Sequence, residues 1–155
     1  MDDLLSGTPS SYSYHQALPR RQRKCTAPLP FEFRNENPVA RVATIDDNQP
    51  RVRPLEMWFA NETGFYFQTW TIKDIYREIT SNPHVELGFW KPGEDGGTVL
   101  RVAGAVEWMD DLNLKRRSFE ERPFLAALGL TPESPELILF RLAKGGHMFG
   151  RQQRT

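Results

Sequence analysis

The sequence predicts a mainly β, antiparallel barrel with two or three inserted helices, and three observations support this prediction. Short segments rich in β-branched and aromatic residues follow one another between turn signals. The connections between most of them are hairpin-like and too short for the crossovers that parallel strands require. The chain has 155 residues, which is enough for one domain with its own core.

The first half of the predicted barrel contains three strands. Residues 39–45 are β-branched and short, and residues 46–48 break this run as a tight turn. The next strand contains Pro54, which predicts a bulge or an edge because proline removes a ladder donor. A second turn over 61–64 leads to the aromatic, strand-like residues 65–70.

The spacing of apolar residues then changes to that of a helix and later returns to that of a strand. Residues 72–79 carry one apolar helical stripe, with Thr71 as the predicted N-cap. Asn82-Pro83 ends this helix. Residues 85–90 and 98–108 return to strand, with a glycine-rich turn between them.

The remaining elements complete the barrel. Gly104 predicts a bulge or a close approach within its strand. Asp110 is the predicted cap of a second helix, with Leu112 and Phe119 on its inner face. A loop with one further helical turn follows, and residues 137–142 form a final strand.

The chain divides into an arm, a domain and a tail. Residues 1–38 show no apolar period and carry the basic run Arg20–Lys24, for which a solvated charge cluster is the simplest interpretation. This stretch is predicted to be an irregular N-terminal arm, ordered only against another subunit. Residues 39–150 form the predicted domain, and residues 151–155 form a tail.

The composition argues against several classes of protein. Lys plus Arg and Asp plus Glu both number 20, so the zero formal charge predicts no nucleic-acid partner. No apolar run reaches 18 residues and no signal-like segment follows the acidic start, so we expect a cytoplasmic protein without a membrane partner. Cys25 is the only cysteine and the three histidines are far apart, so no metal site is predicted.

A polar set at a strand-to-helix junction is the strongest chemical signal. No nucleophile elbow, phosphate-binding glycine loop or zinc-binding helix motif is present. Lys73 falls in the first turn of the predicted helix, where a lysine is unfavourable unless an anion binds. Arg53 and Lys73 are therefore candidates for a phosphate site. The alternative is that they pair in water with Glu56 and Asp74.

Three segments in order resemble a known family. They are QPRVRPLEMWF at 49–59, GFYFQTWTIKDIYREITSNPHVEL at 64–87 and LRVAGAVEW at 100–108. Together they resemble the FMN-binding split-barrel family related to pyridoxamine 5'-phosphate oxidase, over about residues 41–149. The resemblance implies a split barrel that forms a homodimer, with FMN at the subunit interface.

The resemblance also implies which residues bind the cofactor. Arg53 falls on an arginine that contacts the FMN phosphate or the side of the isoalloxazine, and Lys73 falls on a lysine that contacts the phosphate. The other implied contacts are the backbone of Pro54 and Leu55 beside the ring, Gln68, Thr69 and Thr71 near ribityl and phosphate oxygens, Trp70 near the flavin, and Arg101 from the partner subunit.

The sequence departs from the oxidase itself at three places. Ile72 stands where the oxidase has a second basic residue, Val99 lies near the position of its glutamine, and residues 145–155 do not match its substrate segment. The chain looks more like the small oxidase-related or nitroimidazole-reductase-like members.

The function that the resemblance implies is electron transfer through FMN. The donor would be a reduced nicotinamide, NAD(P)H, and the acceptor a small molecule that the sequence does not identify. No catalytic side chain is assigned, because the flavin carries the chemistry. The alternatives are a non-catalytic flavin carrier or sensor, a relative that uses deazaflavin or haem, and an interaction protein without a cofactor.

Overall fold

Strands predominate among the described residues, and three helices lie between them. The computed structural model describes residues 36–93, 97–143 and 148–152, so the predicted arm lies outside the described residues except for 36–38. None of the helices in these ranges is long and apolar enough to cross a membrane. The strands are β1 Val39–Asp46, β2 Gln49–Asn61, β3 Gly64–Trp70, β4 His84–Lys91, β5 Thr98–Met109, β6 Leu137–Ala143 and β7 Met148–Gln152. The helices are α1 Asp74–Ser81, α2 Leu112–Glu121 and α3 Phe124–Ala127.

Six of these strands close into an antiparallel barrel. The circuit runs β1–β2–β3–β6–β5–β4 and returns to β1, and every pairing in it is antiparallel. Closure is possible because β5 pairs with β4 through residues 98–105 and with β6 through residues 106–109. The prediction that residues 137–142 form the final strand is wrong, because β7 follows them and pairs with residues 98–102 of β5. β7 ends at Gln152, beyond the predicted end of the domain at residue 150. The predicted split antiparallel barrel is confirmed.

Side-chain alternation fills the barrel interior. In β1, Ala40, Val42 and Thr44 are buried, and the residues between them are more exposed. In β3, six of the seven residues are buried because both faces of the strand are covered. The rings of Phe67 and Phe140 stack at the centre, with centroids 5.2 Å apart.

Pro54 lies at an edge, which is one of the two predicted alternatives. It is opposite Arg41 of β1, and the β1–β2 register has no break there. The bulge in β2 lies between Met57 and Phe59 instead. Of the two alternatives predicted at Gly104, a bulge or a close approach, the bulge is not formed, because the β4–β5 register continues through that residue without interruption.

Helix α1 begins later than its periodicity predicts. The N-cap is Lys73 rather than Thr71, and Ile72 is 79% exposed rather than part of the buried stripe. The reason is that the backbone N–H of Thr71 donates to the carbonyl of Glu136, which continues the contact between β3 and the segment before β6. The buried residues of the helix are Ile75, Glu78 and Ile79.

The N-cap of helix α2 lies one residue later than predicted, and one residue of its predicted inner face is exposed. Asp111, not Asp110, is the N-cap, and its carboxylate accepts from the backbone N–H groups of residues 113 and 114. Leu112 is 40% exposed, so the predicted inner face is wrong at this residue. The buried side chains are Lys115 and Ser118.

Candidate functional site

β2 and β3 separate at one end of the barrel. Their register pairs Met57 with Phe67, and in the described structure no residue before Met57 pairs with β3. Residues 49–56 of β2 instead pair with β1 alone. The strand edge before Met57 therefore lacks ladder hydrogen bonds on the side that would face the end of β3.

We call this separation the β2–β3 opening and define it by residues 53–55 of β2 and residues 68–71 at the end of β3. Continuation of the register places Leu55 opposite Thr69. Most of the predicted cofactor-binding residues thus lie on its two sides, and Lys73 lies at the start of α1 directly after it. The residues on its two sides are Arg53, Pro54, Leu55, Gln68, Thr69, Trp70 and Thr71.

Two buried polar atoms in the opening have no partner among the described residues. They are Nε2 of Gln68 and Oγ1 of Thr69, which lie on opposite faces of β3 because they are successive residues in a strand. Buried polar groups are almost always satisfied, and an unsatisfied one costs about 1–3 kcal/mol. Each of the two atoms fits a ligand oxygen of a hydroxyl, carbonyl or phosphate group that reaches its own face of β3.

The start of α1 is suited to a negative charge. Lys73 is its N-cap, and because an ammonium has no acceptor, no side chain at this position caps the first-turn amides. These amides carry the positive end of the helix dipole. The ammonium of Lys73 is exposed and lies 5.8 Å from the centroid of the Trp70 ring. A phosphate at this position would therefore meet a lysine and a helix N-terminus together.

Arg53 lies beside α1 and pairs with a residue that the sequence did not indicate. Its Nη2 donates to Oε1 of Glu78 at 2.9 Å and to Oε2 at 2.6 Å. Oγ1 of Thr44 donates to the same Oε2. Burial would raise the pKa of the Glu78 carboxyl, but the hydrogen bonds from Arg53 and Thr44 outweigh burial and lower the pKa. The predicted alternative pairing of Arg53 with Glu56 is not formed.

Arg122 closes the other end of the opening, and sequence reasoning missed it. Its Nη2 donates to the carbonyl of Met57 at 3.0 Å, and its Nη1 donates to Oε1 of Gln68 at 3.3 Å. Its ion pair with Glu56 is longer, at 3.5 Å. Burial lowers the pKa of the Arg122 guanidinium. No local signal identifies this residue, because it follows α2 and reaches β2 and β3 only through the fold.

Arg101 does not join the other predicted residues within one subunit. It lies on β5 opposite Gly88 of β4 and forms an ion pair with Glu86. The hydrogen bond from this arginine to Glu86 raises the pKa of the guanidinium. Its contribution from a partner subunit stays a prediction.

The described residues contain no group of three or more His, Cys, Asp or Glu side chains that could hold a metal ion. The chemistry that they do offer at the opening is hydrogen bonding and positive charge. This arrangement is suited to binding an anionic ligand with a polar chain.

Several solved structures share this fold. A NimC/NimA family protein from Clostridium acetobutylicum is 25% identical, with a TM-score of 0.62 over 77% of this chain and 88% of that one. HutZ, the heme storage protein from Vibrio cholerae, is 18% identical, with a TM-score of 0.62 over 76% and 89%. A pyridoxamine 5'-phosphate oxidase-related, FMN binding protein from Nostoc punctiforme is 20% identical, with a TM-score of 0.58 over 68% and 69%.

A family model identifies the group to which these features belong. The comparison with curated proteins found no match. The model described as pyridoxamine 5'-phosphate oxidase matches residues 31–143, which include the six strands of the closed barrel and both sides of the β2–β3 opening. The chain belongs to the pyridoxamine 5'-phosphate oxidase family.

Proposed function

We propose that this protein is a homodimeric FMN-binding oxidoreductase that passes electrons from a reduced nicotinamide to a small molecule. The observation that carries the proposal is the unsatisfied hydroxyl of Thr69 at the β2–β3 opening, at the end of the strand that leads directly to Lys73 and the start of α1. The Nostoc punctiforme relative is described as FMN binding, which supports the choice of flavin.

Each part of the opening would hold a different part of FMN. Lys73 and the first amides of α1 would hold the phosphate, and Oγ1 of Thr69 would supply a further hydrogen bond. The free backbone edge at Pro54 and Leu55 would face the ring. When bound, FMN supplies the hydride and single-electron chemistry, so the protein needs to bind, orient and shield it.

The homodimer is part of this proposal. Val39 and Val52 are 48% and 66% exposed on the outer face of β1 and β2. Exposed apolar side chains on one sheet face are typical of an interaction surface. The resemblance implies that Arg101 of the second copy lies near the flavin in such a dimer.

A visible absorption spectrum of the purified full chain tests the cofactor. The spectrum is recorded before and after addition of FMN and desalting. We expect flavin bands at about one FMN per subunit, and a protein that retains no added FMN would overturn the proposal. Haemin and deazaflavin are added in parallel, because a Soret band or retained deazaflavin would instead favour one of these alternatives.

Substitution of Lys73 tests the site. Lys73→Met should raise the Kd for FMN by about tenfold or more, because one charge-assisted contact to the phosphate is lost. The Kd for riboflavin, which has no phosphate, should not change. Lys91→Met is the matched control, since Lys91 is an exposed lysine on β4 that pairs with Glu36. Equal FMN affinity in the Lys73 and Lys91 variants would contradict the proposal that Lys73 binds the phosphate of FMN.

Anaerobic addition of NADH or NADPH to the FMN-loaded protein tests turnover. Bleaching of the flavin bands, followed by their return on addition of an acceptor such as a nitroimidazole or a quinone, is the expected result. Bound flavin that neither nicotinamide reduces would favour the carrier or sensor alternative.

A further inference from the structure

The carboxylate of Glu78 connects α1 to two strands of the barrel. Its side chain is 2% exposed. It accepts hydrogen bonds from Arg53 on β2 and from Thr44 on β1. A buried charge of this kind is stabilising only when it is well paired, so all three side chains depend on one another.

Among the contacts between α1 and the barrel, the hydrogen bonds of Glu78 are best suited to fix the position of the helix. The helix has eight residues and is too short to be stable alone, so packing against the barrel determines where it lies. Ile75 and Ile79 join the apolar core, where contacts are not directional. The hydrogen bonds to Glu78 are directional. A slip of one residue would move the start of the helix by about 1.5 Å and rotate it by about 100°.

Arg53 retains donors for a second partner. Among the described residues, its hydrogen bonds run through Nη2 alone. A guanidinium has five N–H donors, so Nε and Nη1 are left for a ligand. The side chain is 25% exposed, which gives a ligand access to it.

We propose that Glu78 is a positioning residue for the phosphate of the bound flavin. It fixes the helix that begins after Lys73, and it orients the guanidinium of Arg53. This inference rests on the proposed function. On charge alone, a carboxylate near a phosphate site weakens binding, so Glu78 acts through position.

Charge and position predict opposite results for Glu78→Gln. The substitution removes one negative charge and keeps the shape of the side chain. If Glu78 acted by charge alone, FMN would bind more tightly. Because it acts by position, we expect the Kd for FMN to rise by about tenfold and the Kd for riboflavin to change by less than about twofold.

Asp74→Asn is the matched control. It removes the same charge from the same helix, but the Asp74 side chain is 80% exposed and its ion pair with Arg77 is long, at 3.8 Å. We expect FMN to bind this variant as tightly as the wild type, or more tightly. A loss of FMN affinity equal to that of Glu78→Gln would overturn the inference.

The experiment titrates FMN and riboflavin into the purified full chain and follows flavin fluorescence. Amide hydrogen exchange of α1 without flavin provides a second readout, and we expect faster exchange in Glu78→Gln than in Asp74→Asn. If Glu78→Gln does not fold, Thr44→Val replaces it, since it removes one donor and keeps the Arg53 pair. The same selective loss of FMN affinity, smaller in size, is then expected.

The outcomes separate this inference from the proposed function. A wild-type protein that binds neither flavin overturns both. A wild-type protein that binds FMN, with a Glu78→Gln variant that binds it equally well or better, overturns the role of Glu78 and leaves the proposed function. Equal losses for FMN and riboflavin indicate a general structural role and also overturn the inference.

Discussion

Gly64 begins β3 where the backbone of β6 passes very close. A Cβ atom at this position would lie 2.3 Å from the carbonyl oxygen of Leu142, and the residue has a φ of 151°. Gly64→Ala should therefore lower the free energy of unfolding by about 1–3 kcal/mol or more, as overpacking of a rigid site does. Urea denaturation measures this change.

Gly129 is the control for the backbone contribution. Its φ is 78°, but a Cβ atom there would have no neighbour within 4 Å. Gly129→Ala should lower the free energy of unfolding only by the cost of placing alanine in a left-handed conformation, about 1–2 kcal/mol. If Gly64→Ala were no more destabilising than Gly129→Ala, the close approach of β6 would not limit this position.

Arg53 stabilises the fold as well as facing the opening. Arg53→Met leaves the buried Glu78 carboxylate without its cation, which should lower the free energy of unfolding by about 1–3 kcal/mol. Arg51→Met is the control on the same strand face, because the Arg51 side chain is 51% exposed and contacts Asp46 at 3.3 Å. We expect a change below about 0.5 kcal/mol for that variant. Equal stability of both variants in urea would show that the ion pair of Arg53 with Glu78 makes no net contribution to the free energy of unfolding.

At the scale of single elements, the start of α2 depends on one carboxylate. Asp111→Ala removes the acceptor of two backbone N–H groups and should cost about 1 kcal/mol of stability. Asp110→Ala removes the neighbouring acid without removing the cap, so its effect in the same urea denaturation should be much smaller. A larger loss of stability in Asp110→Ala than in Asp111→Ala would indicate that Asp110 is the cap.

We expect the ion pairs between α1 and the barrel to make the stability of the protein sensitive to acid. Hydrogen bonds from Arg53 and Thr44 hold the pKa of Glu78 below its ordinary value of 4.5, against the opposing effect of burial. The hydrogen bond from Arg77 is the main reason that the pKa of Asp46 lies below 3.8. A carboxyl with a lowered pKa stabilises the fold fully above its unfolded-state pKa, and this contribution is lost as the pH falls through its folded-state pKa.

We therefore expect the free energy of unfolding to fall as the pH drops below about 4.5, and to fall less steeply in Glu78→Gln. Urea denaturation at about pH 7 and at several values below about pH 5 measures this dependence. Asp74→Asn controls for the loss of an exposed acid from the same helix. An unchanged pH dependence in Glu78→Gln would show that another group causes the acid sensitivity.

At the scale of the whole molecule, the prediction is a dimer that is coupled to the cofactor. Sedimentation velocity should give about twice the 17.9 kDa of one chain. Val52→Glu places a charge on the exposed outer face of β2 and should yield a monomer with weakened FMN binding. Glu62→Lys, a charge change on the exposed turn between β2 and β3, should leave both properties unchanged. A monomeric wild type that retains FMN would contradict the shared site.

The predictable parts of the site are those that are contiguous in the chain. Gln68 to Lys73 form one strand-to-helix junction, and the family resemblance groups them because they follow one another in a single motif. Pro54 predicted a bulge or an edge because of its missing N–H group, and the structure has the edge, which forms one side of the opening. The predicted start of α1 was wrong because apolar period alone does not show that Thr71 stays bonded to Glu136.

The order of the elements as far as β6, the antiparallel barrel and the family follow from the amino-acid sequence alone, because period, turns and motifs are local in the chain. Which side chains meet across the opening depends instead on the tertiary structure. Arg53 and Glu78 are separated by 25 residues, and Arg122 and Met57 by 65. Such pairs form because a closed barrel brings distant strands and helices to one end, where a buried charge must find whichever partner lies within reach.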